Sequence, residues 1–246
     1  MGDLSKPLFL DKTLHALFLD FDGTLVGFAD DPDGITLEPG TLERLSALEE
    51  RQGGAVALIS GRALSSIDRF LSPLAFPAAG VHGQEVRYTA GGDVVTAPPP
   101  DDLATARARL QAAIGPGDKL RIEDKETALV VHYRTAPEEA DRAERLGEEA
   151  VAGCSDLRLV KGHAIVEIRP SGVDKGKAIE KLMQREPFAG RKAVFIGDDT
   201  TDEDGFEWVA SAGGFGIKVG SGETAAKYRL DDVAAVHRWL DAVARQ

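Results

Sequence analysis

The sequence predicts an α/β protein in which a doubly wound parallel sheet carries an inserted α+β domain. Short apolar runs alternate with helical patterns near both ends of the chain, and a proline-rich stretch sets off a middle part with a different pattern. With 246 residues and 43% hydrophobic content, the chain can form one large domain or two modest ones. We therefore expect one sheet assembled from two separated segments, and a second, smaller unit between them.

The first segment has the order strand, helix, strand. The apolar run "ALFLDFDGTLV" is typical of a buried strand. In "EPGTLERLSALEERQGG", Leu42, Leu45 and Leu48 recur at helical spacing until two glycines end the pattern. The short run "AVALIS" then predicts a second buried strand.

The last third of the chain repeats this alternation. A helix is predicted for "KGKAIEKLMQR", where Ile179, Leu182 and Met183 share one face. A strand at "AVFIGDD", a helix at "FEWVASAG" and a strand at "GFGIKVG" follow, and "DDVAAVHRWLDAVAR" ends the series as an amphipathic helix. Alternating strands and helices of this kind favour a parallel sheet covered on both faces.

The middle of the chain begins after the proline-rich boundary "TAPPPDD". Its pattern is helix, strand, helix and further strands, at "DLATARARLQAAI", "ETALVVHYRT", "PEEADRAERLGEEAVAG" and "LRLVKGHAIVEIRP". We therefore predict an inserted domain over residues 99–170, with residues 1–98 and 171–246 forming the core.

Charge and cysteine content narrow the range of partners. The formal net charge is -12, so the long-range field repels nucleic acid and anionic membranes, and a phosphate ligand needs local positive charge. The one cysteine, Cys154, cannot form an internal disulfide, and no apolar run reaches the length of a membrane helix. We expect a cytoplasmic monomer that binds a small molecule and neither nucleic acid nor membrane.

Charged side chains follow three of the predicted strands, at "FLDFDGT", "LISGR" and "FIGDDTTDED". The carboxyl ends of parallel strands open into one crevice, so these side chains should converge there. A cluster of hard oxygen ligands of this kind suits Mg²⁺. The residues expected at this crevice are Asp20, Asp22, Ser60, Asp198, Asp199 and Asp202, with Lys175 delivered by the following helix.

This set of residues predicts chemistry on a phosphate group. A carboxylate with an ordinary pKa is ionised at neutral pH, so Asp20 needs no base before it attacks phosphorus. Asp22 can act first as acid and then as base, while Gly23 permits the turn and Thr24 donates hydrogen bonds. Ser60 and Lys175 would hold the phosphoryl oxygens.

The motifs "DFDGTL", "SGR", a lysine before an amphipathic helix and "GDDTTDED" occur in this order over nearly the whole chain. In that order they resemble the haloacid dehalogenase superfamily of aspartyl-phosphate hydrolases. The resemblance implies a Rossmann-like core with the inserted domain as a cap. It also implies the nucleophile and acid–base roles just given for Asp20 and Asp22.

Further stretches resemble the trehalose-6-phosphate phosphatases, from residue 16 to about 240: "FPAAGVHGQEVR", "RIEDKETALVVHYR", "VEIRPSGVDKG" and "GDDTTDEDGF". The resemblance implies a Mg²⁺-dependent phosphatase of trehalose biosynthesis that removes phosphate from trehalose 6-phosphate. The metal ligands it implies are Asp20, Asp22 through its backbone carbonyl, and Asp198, with Asp199 and Asp202 as supporting members of the acidic loop.

The same resemblance implies where the substrate binds. In that family the cap closes on the sugar, and the cap residues that match are Glu123, Lys125, Lys161, Glu167 and Arg169. The core residues assigned to the substrate are Thr24, Gly61, Arg62 and His82. Two positions depart from the family pattern, which commonly has glycine at Glu126 and lysine at His163.

Two other functions remain open at this stage. Another sugar-phosphate phosphatase of the superfamily, such as one acting on sucrose phosphate or mannosylglycerate phosphate, would share the core and differ in the cap. A phospho-accepting signalling receiver also combines an acidic cluster, a hydroxyl and a lysine on a doubly wound sheet. The second carboxylate at Asp22 and the inserted domain both argue against the receiver.

Overall fold

The computed structural model of the chain describes residues 2–3, 10–27, 34–162 and 164–246. The chain divides into two compact units, one formed by Met1–Thr96 with Asp174–Gln246 and the other by Ala97–Val173. The insertion predicted at residues 99–170 falls inside the second unit. Within the described ranges, none of the helices combines the length and apolar character needed to cross a bilayer.

Strands and helices alternate along the first unit. The strands of the chain are β1 (Gly2–Asp3), β2 (His15–Leu19), β3 (Val56–Ile59), β4 (Ala78–Gly80), β5 (Glu85–Arg87), β6 (Val94–Thr96), β7 (Arg121–Asp124), β8 (Leu129–His132), β9 (Leu157–Gly162), β10 (Ile165–Pro170), β11 (Lys192–Gly197), β12 (Phe215–Val219) and β13 (Tyr228–Leu230). The helices are α1 (Thr41–Arg51), α2 (Leu64–Leu71), α3 (Asp102–Ala113), α4 (Ala140–Val151), α5 (Lys175–Met183), α6 (Glu203–Ser211) and α7 (Val233–Ala244).

The sheet of the first unit has the strand order β1-β13-β12-β11-β2-β3-β4-β5-β6 in the described residues. The strands from β1 to β4 in this order are parallel, whereas β5 and β6 add an antiparallel edge. The strands β4, β5 and β6 are short and were not predicted from the sequence. The central position of β2 puts the end of the apolar run in the middle of the sheet.

Both faces of this sheet are buried, which explains why its strands are apolar throughout. Leu17 and Leu19 of β2 face one side and pack with the buried side chains of α1, α2 and α7. The alternate residue Phe18 faces the other side and packs with α5 and α6, including Ile179 and Phe206. The predicted fold class, a doubly wound parallel sheet with an inserted α+β unit, is confirmed.

The second unit has its own sheet and its own core. Its four described strands are antiparallel in the order β7-β8-β10-β9. Alternate residues such as Val131 and Val166 pack against Leu110 of α3 and Ala143 of α4. The residues that alternate with these along each strand therefore point to the opposite face of the sheet.

Candidate active site

Asp20 stands directly after β2, at the edge of the sheet where β3 and β11 also end. Its backbone N–H donates to the carbonyl of Ile196 at 2.9 Å, which continues the pairing of β2 with β11. Ser60 and Asp198 follow β3 and β11 in the same way. Strand pairing therefore fixes the backbone of all three residues at one edge, as the sequence predicted.

Lys175 is buried between two carboxylates. It is the first residue of α5, whose N-cap Asp174 accepts a hydrogen bond from the backbone N–H of Lys177. The ammonium Nζ lies 2.9 Å from Asp20 Oδ1 and 2.6 Å from Asp202 Oδ1. Burial alone would lower the pKa of Lys175, but the charges of Asp20 and Asp202 outweigh it and raise that pKa. The lysine is therefore a fixed positive charge.

Asp202 organises the loop after β11. Its second oxygen, Oδ2, accepts hydrogen bonds from the backbone N–H groups of Asp198 and Asp199, both at 2.9 Å. A Cβ on Gly197 would lie 2.3 Å from Asp202 Cγ, so a side chain there would displace this carboxylate. The Asp199 carboxylate accepts from the N–H of Thr200 at 2.7 Å and caps its own turn.

The carboxylates of Asp20, Asp198 and Asp202 form one acidic cluster, with oxygen atoms within 4.8 Å of one another. Burial and the neighbouring charge of Asp202 raise the pKa of Asp20 well above its usual range. The same two causes raise the pKa of Asp198 to about 6. The sequence led us to expect an ordinary pKa for Asp20, and this expectation is wrong. The cluster of hard oxygen ligands fits a divalent cation.

Asp22 lies in the turn that follows, and its carboxylate is paired. Arg62 donates to it from Nε at 2.6 Å and from Nη2 at 2.7 Å. Gly23 has a left-handed backbone (φ 72°), and a Cβ there would lie 2.2 Å from Asp198 Oδ2. The hydroxyl of Thr24 donates to Asp198 Oδ1 at 3.4 Å. This turn thus joins the acid–base candidate to the acidic cluster.

Ser60 and His82 meet on the other side of the crevice. The backbone N–H of Arg62 donates to Ser60 Oγ at 3.1 Å, and the N–H of His82 donates to the Ser60 carbonyl at 2.9 Å. Val81 and His82 both adopt left-handed backbone, with φ of 46° and 54°. A Cβ on Gly61 would lie 2.8 Å from the His82 ring. Backbone strain of this kind commonly marks a functional site.

In the second unit, a charged face lies opposite the helices. Glu123 of β7 and Glu167 of β10 both align with Val130 of β8, which places the two carboxylates on the same face. Glu167 lies 3.9 Å from Lys125 Nζ and 3.8 Å from Arg169 Nη1. Glu123 lies 2.7 Å from His132, and this hydrogen bond lowers the pKa of Glu123.

Another position singled out by the sequence, Lys161, lies apart from this face. Lys161 aligns with Val166, which points to the helices, and it binds Glu144 of α4. Glu126 occupies a left-handed position with φ 65°, where glycine is free of strain. His163 lies outside the described residues. The structure therefore brings Glu123, Lys125, Glu167 and Arg169 together and places Lys161 elsewhere.

Comparison with known proteins adds to this geometry. The family model described as trehalose-phosphatase matches residues 18–234. The chain is 38% identical to the trehalose-6-phosphate phosphatase of Escherichia coli strain K12, over 93% of this chain and 86% of the relative. It is 40% identical to a probable trehalose-phosphate phosphatase of Sinorhizobium fredii, over 89% and 82%. The chain belongs to the trehalose-phosphatase family.

Solved structures share the fold of this chain. One is the C-terminal domain of Candida albicans trehalose-6-phosphate phosphatase, with a TM-score of 0.81 at 20% identity over 98% of both chains; at that identity the likeness shows the fold alone. Another is a trehalose-6-phosphate phosphatase related protein, with a TM-score of 0.69 at 29% identity over 94% of this chain and 97% of that one. The chain is therefore a phosphatase-family enzyme with a core of the haloacid dehalogenase type and a cap.

One further charged residue contacts the acidic loop and was not predicted from the sequence. Lys218 of β12 is buried, and its Nζ donates to the backbone carbonyl of Asp198. Its charge acts to lower the pKa of Asp198, against the effect of burial. The signal was available in "GFGIKVG", where a lysine interrupts a strand that is otherwise apolar.

We predict that Gly23→Ala removes most phosphatase activity, because the new Cβ meets the Asp198 carboxylate. Gly91→Ala is the matched control, since Gly91 has a similar φ of 65° but open space around its Cβ. Left-handed backbone costs roughly 1–2 kcal/mol at either position. Thermal unfolding and hydrolysis of an aryl phosphate should show a stability loss in both variants and an activity loss in Gly23→Ala alone. Equal activity in the two variants contradicts this assignment.

Proposed function

We propose that the chain hydrolyses trehalose 6-phosphate to trehalose and phosphate, through an aspartyl-phosphate on Asp20 and with Mg²⁺ as cofactor. The observation that carries the proposal is the buried Lys175, held between Asp20 and Asp202 and beside Asp198 at the ends of parallel strands. In a member of the trehalose-phosphatase family, this arrangement gives a carboxylate nucleophile and a fixed cation for the transferred phosphoryl group.

In the first step, a carboxylate oxygen of Asp20 forms a bond to phosphorus while the bond from phosphorus to the sugar oxygen breaks. Asp22 gives its proton to the departing oxygen, which releases trehalose. In the second step, Asp22 takes a proton from water, and the water oxygen displaces the Asp20 carboxylate from phosphorus. Phosphate leaves, and both carboxyl groups return to their starting states.

The pairing of Asp22 with Arg62 bears on the acid role. Both carboxylate oxygens of Asp22 accept hydrogen bonds from the guanidinium. A carboxyl group that donates a proton to substrate must turn at least one oxygen away from this partner. Guanidinium groups bind phosphate well, so the substrate phosphate is suited to replace Asp22 as the partner of Arg62. This exchange would release the Asp22 carboxyl group.

Charge balance explains the need for a divalent cation. Asp20, Asp198 and Asp202 carry three negative charges when ionised, and the buried Lys175 and Lys218 offset two of them. A phosphate dianion entering the cluster meets repulsion of roughly 4 kcal/mol for each like charge 4 Å away at an effective dielectric of 20. Mg²⁺ supplies two positive charges and orients the phosphate when bound.

The contacts suggest which residues would hold the metal. Both oxygens of Asp202 accept hydrogen bonds, from Lys175 and from the backbone of the acidic loop, which suits a supporting role. The Asp199 carboxylate caps its own turn. Asp20 and Asp198, with the backbone carbonyl of Asp22, are therefore the ligands we propose.

We assign the two ends of the substrate to different residues. The phosphoryl group is held by Lys175 and Ser60, together with the core residues Thr24, Gly61, Arg62 and His82. The sugar is recognised by the charged face of the second unit, formed by Glu123, Lys125, Glu167 and Arg169, because such side chains bind hydroxyl groups well. The monomeric state and the cytoplasmic location remain predictions.

We predict release of phosphate from trehalose 6-phosphate in preference to glucose 6-phosphate, sucrose 6-phosphate and an aryl phosphate. Chelation of the metal should remove activity on all four compounds. Asp20→Asn should lower turnover by roughly 100-fold or more, because the amide keeps the shape of the carboxylate but is not nucleophilic. Preference for sucrose 6-phosphate would replace the assigned substrate, and a stable phosphoprotein without turnover would favour the signalling receiver.

We predict that Mg²⁺ stabilises the protein more at about pH 7.5 than at about pH 5, because protons compete for its ligands. The raised pKa of Asp198, about 6, means that this carboxyl is ionised above that pH and protonated below it. The rise in Tm on adding Mg²⁺ should therefore shrink as the pH falls through 6. Asp198→Asn should show a small rise at both pH values, and an equal rise at both in the unaltered protein contradicts the ligand assignment.

We predict that Glu167→Gln lowers kcat/KM for trehalose 6-phosphate by about 10- to 100-fold, the effect of one hydrogen bond to a charged group. Hydrolysis of an aryl phosphate should change little, because that substrate lacks the sugar. Glu144→Gln is the matched control, since it loses an ion pair with Lys161 on the helical side of the same sheet. Equal losses on both substrates remove the sugar-binding role of Glu167.

A further inference from the structure

His237 connects the last helix to the turn that carries the catalytic candidates. It lies on α7, and only 3% of it is exposed. Its Nε2 is 3.0 Å from the backbone carbonyl oxygen of Leu25, three residues after Asp22. No sequence motif points to His237, and this residue lies beyond residues 18–234, the part that the family model matches.

Arg44 fixes which ring nitrogen of His237 carries the hydrogen. The guanidinium Nη1 lies 2.9 Å from His237 Nδ1, while Nε and Nη2 bind Asp241 at 2.7 and 3.3 Å. A guanidinium only donates hydrogen bonds, so Nδ1 must be the acceptor. The hydrogen of the neutral ring therefore sits on Nε2 and is donated to the Leu25 carbonyl.

The turn that receives this hydrogen bond is tightly closed. The Phe21 carbonyl accepts from the N–H groups of Leu25 at 2.9 Å and Val26 at 3.0 Å, and Gly23 N–H donates to the Val26 carbonyl at 2.8 Å. These bonds set the shape of the turn but do not attach it to a helix. The hydrogen bond from His237 of α7 attaches the turn to the helices that pack on that side of the sheet.

The surroundings of His237 keep its ring neutral. Burial and the charge of Arg44 lower the pKa of His237, against smaller opposing effects of Glu38, of the hydrogen bond to Leu25 and of Asp241. Glu38 Oε2 lies 3.8 Å from Nε2. A second proton would have to sit on Nδ1, facing the guanidinium of Arg44.

Packing of α7 does not require this histidine. Val236, Trp239, Leu240 and Val243 of the helix are all buried in the core that it shares with α1 and β2. His237 is not a member of that apolar core. The hydrogen bond from Nε2 is what an apolar residue could not supply.

We propose that His237 is a positioning residue for the phosphatase reaction. With its tautomer set by Arg44, it holds the Leu25 carbonyl and thereby the turn that places Asp22 and Thr24 beside the acidic cluster. This inference rests on the proposed function, since the turn matters only if Asp22 acts on a phosphate ester. His237 acts through the backbone and does not touch the substrate.

The test compares His237→Leu, His237→Gln and Val243→Ala. Leucine removes the donor, glutamine offers an amide N–H at the position of Nε2, and Val243→Ala weakens the same helix away from the turn. With an aryl phosphate and Mg²⁺, at a temperature well below every Tm, His237→Leu should lose about 10- to 100-fold in kcat with little change in KM. His237→Gln should recover most of this loss. A wild-type kcat in His237→Leu overturns the proposal, and so does an equal kcat loss in Val243→Ala.

Two readouts do not depend on activity. The ¹⁵N spectrum of the unaltered protein should show His237 with its hydrogen on Nε2, and hydrogen exchange at residues 23–26 should be faster in His237→Leu than in Val243→Ala. Observation of the other tautomer, or equal hydrogen exchange in the two variants, overturns the proposal that His237 holds the turn. If the unaltered protein hydrolyses no phosphate ester, the proposed function fails. These two readouts then still decide whether His237 holds the turn through its hydrogen bond to Leu25.

Discussion

The rest of the site depends on one buried ammonium group. Lys175 lies 2.9 Å from Asp20 and 2.6 Å from Asp202, and each charge compensates the loss of water around the others. Removing one member of such a buried pair typically costs about 3–5 kcal/mol, because its partner is left uncompensated. The Asp202 carboxylate also holds the backbone of the acidic loop. The end of β2, the start of α5 and the loop after β11 are therefore joined by one network of ion pairs and hydrogen bonds.

The topology of the sheet explains how these three segments come together. Asp20 comes from the segment before the insertion, whereas Lys175 and Asp198 come from the segment after it. Parallel pairing of β2 with β11 brings the two segments together, and the packed faces of the sheet hold them. The insertion has its own core and sheet, so its charged face can differ between relatives while the phosphate chemistry stays the same.

The sequence predicted the residues that lie at the ends of strands and the starts of helices. It did not predict the contacts that depend on the direction of a side chain. Asp20 and Lys175 were found because apolar runs and helical periodicity locate the ends of strands and the starts of helices. Lys161 was grouped with the other cap candidates, but the register of β9 against β10 turns it to the helical side, and a single sequence does not contain that register. His237 contacts the backbone carbonyl of Leu25, which is far away in the chain. Such contacts leave no pattern in local sequence.

Asp20 is the residue that we propose accepts the phosphoryl group. The most direct measurement mixes the enzyme with trehalose 6-phosphate labelled at phosphorus, quenches single turnovers in acid, and maps the labelled peptide. We predict transient label on the peptide that contains Asp20, sensitive to hydroxylamine as an acyl phosphate is, and no label in Asp20→Asn. Rapid phosphate release without labelled protein, or label on another residue, would contradict this proposal.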